Sequence, residues 1–216
     1  MKAFTNSLLI LKTFCDIIRQ ISFKEHPQMN PIQYLEFLHK IEKLKCNTRH
    51  SWTSCGTQES VAEHSWRLSV MALLAADEYP ALDINKVIKM CLIHDFGEAI
   101  TGDIPSFFKT EQNEAEEEKA VRNLLTEFPA PLCTELQELF DEMNALATPE
   151  AKLFKALDNM EAVVSHNEAD LSTWIPFEYE ENLVYGAENA DWSPWTKALR
   201  EQLREDSIKK LREAGK

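Results

Sequence analysis

Glycine is scarce in this chain, at 5 of 216 residues, where globular proteins usually carry about 7%. A sheet-rich fold with many tight turns needs more of it, so the scarcity points to helices joined by few connections. Basic charge is also short: 23 Lys and Arg face 36 Asp and Glu, a net charge of −13. Clustered cations are what grip a phosphate backbone, and their shortage argues against duplex nucleic acid as a partner. The five cysteines (Cys15, Cys46, Cys55, Cys91 and Cys133) are odd in number and widely spaced, with no CxxC. They form neither a disulfide framework nor a zinc-thiolate site, and reduced thiols in a cytoplasmic protein are expected. No apolar run nears the ~18 residues of a membrane span, so no membrane association is expected. What is plentiful is apolar content, 44% over a length that suits one domain with a sizeable core.

Along the chain, Ser7 to Ile21 is apolar but interrupted by Lys12, Asp16 and Arg19. It reads as an amphipathic helix rather than a signal peptide. Met29-Asn30-Pro31 begins a fresh pattern, and Met29 is the expected biological start, with 1–28 an over-called extension. Ile32, Leu35, Leu38, Ile41 and Leu44 mark one helix face over 31–45. A polar loop is expected over 46–59. Ser60-Val61-Ala62-Glu63 has the spacing of a capping box and opens a helix to about Tyr79. Asp83 caps the next helix, which runs to near Gly97, and Thr101 to Pro105 is a turn. Further helices are expected over 111–128, 134–146, 148–171 and 193–214, with a loop rich in aromatic and acidic residues over 174–192. The acids from Glu111 to Glu118 read as solvated surface. No internal repeat and no strand pattern appear. The fold class is all-α, a single helical domain of about seven or eight helices with little or no sheet.

Residues 50–196 hold 28 of the 36 acidic side chains and 8 of the 23 basic ones. Solvated helix faces account for most such patterns; a cation among the acids is the sharper alternative. His94-Asp95 ends an apolar helix, and a carboxylate buried there needs a partner. His64, in the first turn of its helix, and Asp158, flanked by core-type residues, are further candidate ligands. Two imidazoles and two carboxylates make a mixed nitrogen–oxygen set suited to one divalent first-row metal, Mn²⁺, Co²⁺, Fe²⁺ or Zn²⁺. Spacing alone does not bring the helices together.

The ordered set is nonetheless specific. Glu63-His64-Ser65, then His94-Asp95-x-x-Glu98-x-x-Thr101-Gly102-Asp103-x-Pro105, then Asp158, resembles the HD superfamily of metal-dependent phosphohydrolases. Within it the chain is similar to the branch containing bacterial 5′-deoxynucleotidases, over roughly residues 30 to 170. The resemblance implies an HD-type helical domain with His64, His94, Asp95 and Asp158 as metal ligands, and Asp95 catalytic through the metal. It implies Arg49 as the phosphate-binding arginine and Glu98 as the proton-handling catalytic residue. Asp103 would lie beside the sugar or assist proton transfer. Trp52 and Thr101 join Arg49 and Asp103 as expected substrate contacts. In that branch an aromatic residue follows the arginine; here His50 follows Arg49, and Trp52 comes two later. No histidine lies between His94 and Asp158, so a mononuclear site is expected rather than a two-metal phosphodiesterase.

The expected activity is hydrolysis of nucleoside 5′-monophosphates, deoxy forms in particular, to nucleoside and phosphate. Alternatives are a nucleoside triphosphate phosphohydrolase, a non-catalytic nucleotide-binding module, and an interaction protein using its acidic face. A homodimer is expected by analogy with the family alone. The expected division is an extension over 1–30, the HD core over 31–172, and a loop with a last helix over 173–216 packed on the same domain. His166 reads as packing or support rather than as a ligand.

Overall fold

The computed structural model describes residues 29–216. The amphipathic helix expected over 7–21, and the reading of 1–28 as an extension, lie outside the described residues. The first described helix, α1 (Pro31–Ile41), is set by its cap. The Asn30 side chain accepts from the Ile32 and Gln33 N–H groups, Gln33 reaches back, and Pro31 occupies the first turn. A single 3₁₀ turn, Glu42–Lys45, follows.

The expected polar loop over 46–59 is instead a hairpin. Strands β1 (Thr48–Trp52) and β2 (Gln58–Ser60) pair antiparallel, with Thr48 opposite Ser60 and Trp52 opposite Gln58. Its turn closes through Thr53 N–H to Thr57 O at 2.8 Å, with Gly56 at φ 81. Thr-Arg-His-Ser-Trp shows no alternation of apolar and polar residues, because its inward positions serve a cavity rather than an apolar core.

Ser60 then caps α2 (Val61–Leu74) in a full capping box with Glu63. Asp83 caps α3 (Ile84–Ile93). That helix stops earlier than the sequence pattern suggests, because the bonds after Ile93 tighten to i→i+3 (Phe96 N–H to Ile93 O, Glu98 N–H to Asp95 O). A single turn, α4 (Glu98–Thr101), follows. Then come α5 (Glu111–Leu125), α6 (Ala130–Ala145) and α7 (Pro149–Glu168). α6 starts four residues before the expected Thr134, since Pro131 fits a helix's first turn.

α7 is the central helix. It packs against α2, α3 and α6, and against α10 (Pro194–Glu213). Its buried Leu153, Phe154, Leu157, Met160 and Val163 join Leu68, Val87, Met90, Leu125 and Leu203 in one core. The segment over 174–192 is largely helical rather than a loop, with α8 (Glu178–Val184) and α9 (Ala187–Ala190). Trp192 and Trp195 pack on Tyr79, while Trp174 is buried and donates to the His166 carbonyl at 2.9 Å. Among the described residues no helix is long and apolar enough to cross a membrane.

Between α8 and α9 the chain turns at Gly186, at φ 73, where a Cβ would stand 2.5 Å from the Asn159 Cβ of α7. Gly186→Ala should therefore cost about 2–4 kcal/mol, from the left-handed backbone and overpacking together. Urea denaturation with an unchanged slope measures it; stability within about 0.5 kcal/mol of wild type, the scale of a neutral surface change, would contradict this close approach.

Candidate metal and phosphate site

Three helix segments bring donor atoms of His64, His94 and Asp158 within 4.8 Å of one another, and Asp95 joins them through its approaches to the two histidines. The Ser60 cap places His64 in the first turn of α2, facing inward and fully buried. His94 and Asp95 sit where α3 gives way to its tight turn, and Asp158 comes from the middle of α7. His64 Nε2 lies 3.3 Å from His94 Nε2, 3.2 Å from Asp158 Oδ1 and 3.9 Å from Asp95 Oδ2. His94 Nε2 lies 2.9 Å from Asp95 Oδ2 and 3.6 Å from Asp158 Oδ1.

These atoms fit a cation on chemical grounds. His64 Nδ1 is engaged by buried Glu161, itself held by Arg67 Nε at 2.6 Å. His94 Nδ1 donates to the Cys91 carbonyl at 3.0 Å. With both Nδ1 atoms carrying the proton, both Nε2 lone pairs point at each other and at two carboxylates. Such an arrangement is repulsive unless positive charge occupies its centre. The same demand appears in the acid–base balance. Burial and Arg49 pull the His64 pKa down, yet Glu161 and the bonds to Asp158 and Glu161 outweigh them and lift it to about 9. Burial would raise Asp95, but His94 and His64 bring it down to about 2. Burial opposes ionisation of Asp158 too, and Lys155 with the two histidines holds it well below the usual carboxylate range.

Glu161 stands where a carboxylate would orient His64 if that histidine held a metal. Burial would raise its pKa, but His64, Arg49 and Arg67 bring it down to about 2. Glu161→Gln should weaken divalent-metal affinity about 10- to 100-fold. Metal titration of chelator-treated protein checks this; an unchanged affinity would contradict the role.

The cluster opens into a cavity of about 780 Å³. Arg49 of β1 reaches its wall, braced by Glu59 at 3.7 Å. Burial disfavours its charge, but Glu161, Asp95, Glu59 and Asp158 outweigh this and hold the guanidinium firmly cationic. Glu98 does not continue α3 as a further turn. It begins α4, yet its carboxylate still lies within 4.8 Å of both Asp95 and Glu117. It is 4% exposed, and its Oε2 has no hydrogen-bond partner among the described residues. Burial first, then the charges of Asp95, Asp103 and Glu117, push its pKa up to about 10 against the opposing pull of Lys109. Asp103 also lines the cavity, its pKa raised by burial although Arg49 opposes.

Two expected contacts are not brought in. Thr101 is exposed and turns its hydroxyl to the Gly97 and Gly102 carbonyls. Trp52 is not among the residues that line the cavity; its ring packs edge-on against His50 at 5.0 Å, and His50 is the one on the wall. His166 lies on the wall as well, bonded to Asn182 and the His50 carbonyl rather than to the ligand cluster.

Several functional side chains escaped the sequence. Glu117 is not solvated surface. It pairs with Lys109, lines the cavity and abuts Gly97, where a Cβ would lie 2.7 Å from the Glu117 carbonyl oxygen. Its spacing of four from inward Val121 was the available signal. Glu161 and Lys155 flank Asp158 at three residues either way on one helical face; Lys155 Nζ contacts Asp158 Oδ2 at 2.8 Å. Glu178, Asn182 and Tyr185 share a face of α8 and its end, and all line the cavity.

The chain belongs to the HD domain family, whose model matches residues 41–200. Among the proteins it is similar to, a 5′-deoxynucleotidase of Bos taurus is 35% identical over 138 residues. That alignment covers 62% of this chain and 66% of the bovine protein, just under two thirds of its length. A 5′-deoxynucleotidase of Schizosaccharomyces pombe is 30% identical over 173 residues, covering 72% of this chain and 86% of that one. In structure, a predicted metal-dependent phosphohydrolase from Magnetospirillum magnetotacticum superposes with a TM-score of 0.70 at 28% identity, over 88% of this chain and 97% of that one.

Proposed function

We propose that the protein is a metal-dependent phosphohydrolase that cleaves nucleoside 5′-monophosphates, 2′-deoxy forms in particular, to nucleoside and phosphate. The observation that carries this reading is the convergence of His64, His94, Asp95 and Asp158 at a cavity whose wall also holds a buried Glu98 and a cationic Arg49. His64, His94, Asp95 and Asp158 would hold one divalent first-row cation, Mn²⁺, Co²⁺, Fe²⁺ or Zn²⁺. When bound, that cation neutralises phosphate charge and acidifies a water.

The chain's own residues supply the rest. The planar fork of Arg49 grips two phosphate oxygens. Lys155, on the cavity wall, pairs with Asp158 and holds that carboxylate ionised. Glu98, buried among carboxylates at the edge of the site, gives a proton to the departing 5′-oxygen and recovers one from the attacking water. Asp103 assists it from the next loop. The cavity volume lies within the range of small-molecule sites. Both lysines of the wall are paired, Lys109 with Glu117 and Lys155 with Asp158. That leaves little charge for two further phosphates and favours monophosphates over triphosphates. A nucleotide-binding module without turnover would have no use for a buried Glu98 whose Oε2 has no partner among the described residues.

The names of the bovine and fission-yeast relatives support the substrate class. The same reading carries a cytoplasmic location, in keeping with Cys46, Cys55, Cys91 and Cys133 forming no disulfide among the described residues. A homodimer rests on the family resemblance. Chelator-stripped protein, resupplied with Mn²⁺ or Co²⁺, should release phosphate from deoxynucleoside 5′-monophosphates and less from the triphosphates. Turnover of triphosphates in preference to monophosphates would move the reading to the runner-up.

A further inference from the structure

Beside the ligand cluster lies a buried polar network, and its members come together by local spacing. Arg67 follows His64 by three residues on α2, so the two side chains share a face. Glu161, Ser165 and Glu168 recur at intervals of four and three along one face of α7. Glu59 stands on β2, beside the strand that carries Arg49. These elements meet at the Arg67 guanidinium. Its Nε donates to Glu161 Oε1 at 2.6 Å and its Nη1 donates to Glu168. Its Nη2 donates to the Ser165 hydroxyl and lies 3.5 Å from Glu59 Oε1. Ser165 Oγ in turn donates to that Glu59 oxygen at 3.0 Å.

Each end of the network meets a group of the candidate site. Glu161 Oε2 engages His64 Nδ1. Glu59 Oε2 faces Arg49 Nε across 3.7 Å, an ion pair too long for a hydrogen bond, and has no hydrogen-bond partner among the described residues. Donor atoms of Glu59, His64 and Glu161 stand within 4.8 Å of one another. Two buried carboxylates so close need positive charge between them, and Arg67 supplies it. A planar fork reaches both acids and Ser165 together, which an ammonium does not. Arg67, Ser165, Glu59 and Glu161 are not among the residues that line the cavity. Their effect on a bound phosphate therefore runs through Arg49 and His64.

We propose that Arg67 is a positioning residue for two groups at once: it sets the metal ligand His64 through Glu161, and the phosphate-binding Arg49 through Ser165 and Glu59. This rests on the metal and phosphate roles given above to His64 and Arg49. Holding Glu161 Oε1 leaves Oε2 for His64 Nδ1. Because Ser165 Oγ accepts from Arg67, its own proton is directed to Glu59 Oε1, which leaves Oε2 turned to Arg49.

Two variants test this. Arg67→Lys keeps the charge without the fork, and Ser165→Ala cuts the branch to Glu59. Calorimetry gives the Mn²⁺ affinity of chelator-stripped protein and the affinity of Mn²⁺-saturated protein for inorganic phosphate. Arg67→Lys should lower both about three- to tenfold, the worth of one hydrogen bond. Ser165→Ala should lower the phosphate affinity alone. In an Arg49→Ala background neither variant should lower the phosphate affinity further, which a double-mutant cycle reads directly; a merely loosened fold would lower it with or without Arg49. A phosphate loss that persists in Arg49→Ala would overturn the route to Arg49. An unchanged Mn²⁺ affinity in Arg67→Lys would overturn the route to His64. If wild type binds neither Mn²⁺ nor phosphate, the hydrolase reading fails by itself. Crystal structures of wild type and Arg67→Lys then decide the present proposal: displaced His64 and Arg49 side chains support it, and unmoved ones overturn it.

Discussion

Asp95→Ala is expected to lower phosphate release from a deoxynucleoside 5′-monophosphate by about a thousandfold or more. Asp95 is one of four groups whose donor atoms converge, its Oδ2 being 2.9 Å from His94 Nε2. A cation at such a site is worth several kcal/mol of charge stabilisation in the transition state, and each 1.36 kcal/mol is tenfold in rate. The loss should not reflect unfolding. The pairing of Asp95 with His94 and His64 is lost, but the repulsion that Asp95 places on Glu98 is relieved with it, so the two partly offset. Steady-state rates at saturating metal, with a melting curve alongside, check both halves. More than about a tenth of wild-type activity, a deficit of only ~1.4 kcal/mol, would contradict the role of Asp95.

Glu98→Gln comes next in size, at about a hundred- to ten-thousandfold in kcat, the range for removing a positioned acid or base. The substitution is nearly isosteric and the Glu98 Oε2 has no bond to lose among the described residues, so metal content and nucleotide affinity should hold near wild type. Rapid-mix and steady-state kinetics separate the two. A variant with kcat within about threefold of wild type, under 1 kcal/mol, would remove Glu98 from the chemistry and leave it a buried acid without a function.

Much of this site could be read before the fold was known, and the reasons are local. Ser60, Asp83 and Thr148 are caps whose position fixes the phase of the helix that follows. His64 and Asp158 inherit their inward direction from those phases, and His94-Asp95 stands out as charge at the end of an apolar run. Convergence was not legible from spacing and came only with the resemblance. The β-hairpin stayed hidden because Arg49 and Ser51 occupy its inward positions, where an apolar alternation would have announced a strand. Glu117 was hidden in a run of five acids, four of which do face water to some degree. α8 was hidden because the polar residues of its inner face, Glu178 and Asn182, look like a solvated loop. In each case a functional polar group occupies a position that the hydrophobic pattern reserves for the core.

The most direct measurement is a Mn²⁺ titration of chelator-stripped protein that follows bound metal and phosphate released from a deoxynucleoside 5′-monophosphate in the same samples. No turnover is expected without metal, with activity rising in proportion to occupancy and saturating at one equivalent per chain. Full activity in the stripped protein, or no phosphate release at full occupancy with any first-row divalent metal, would contradict it.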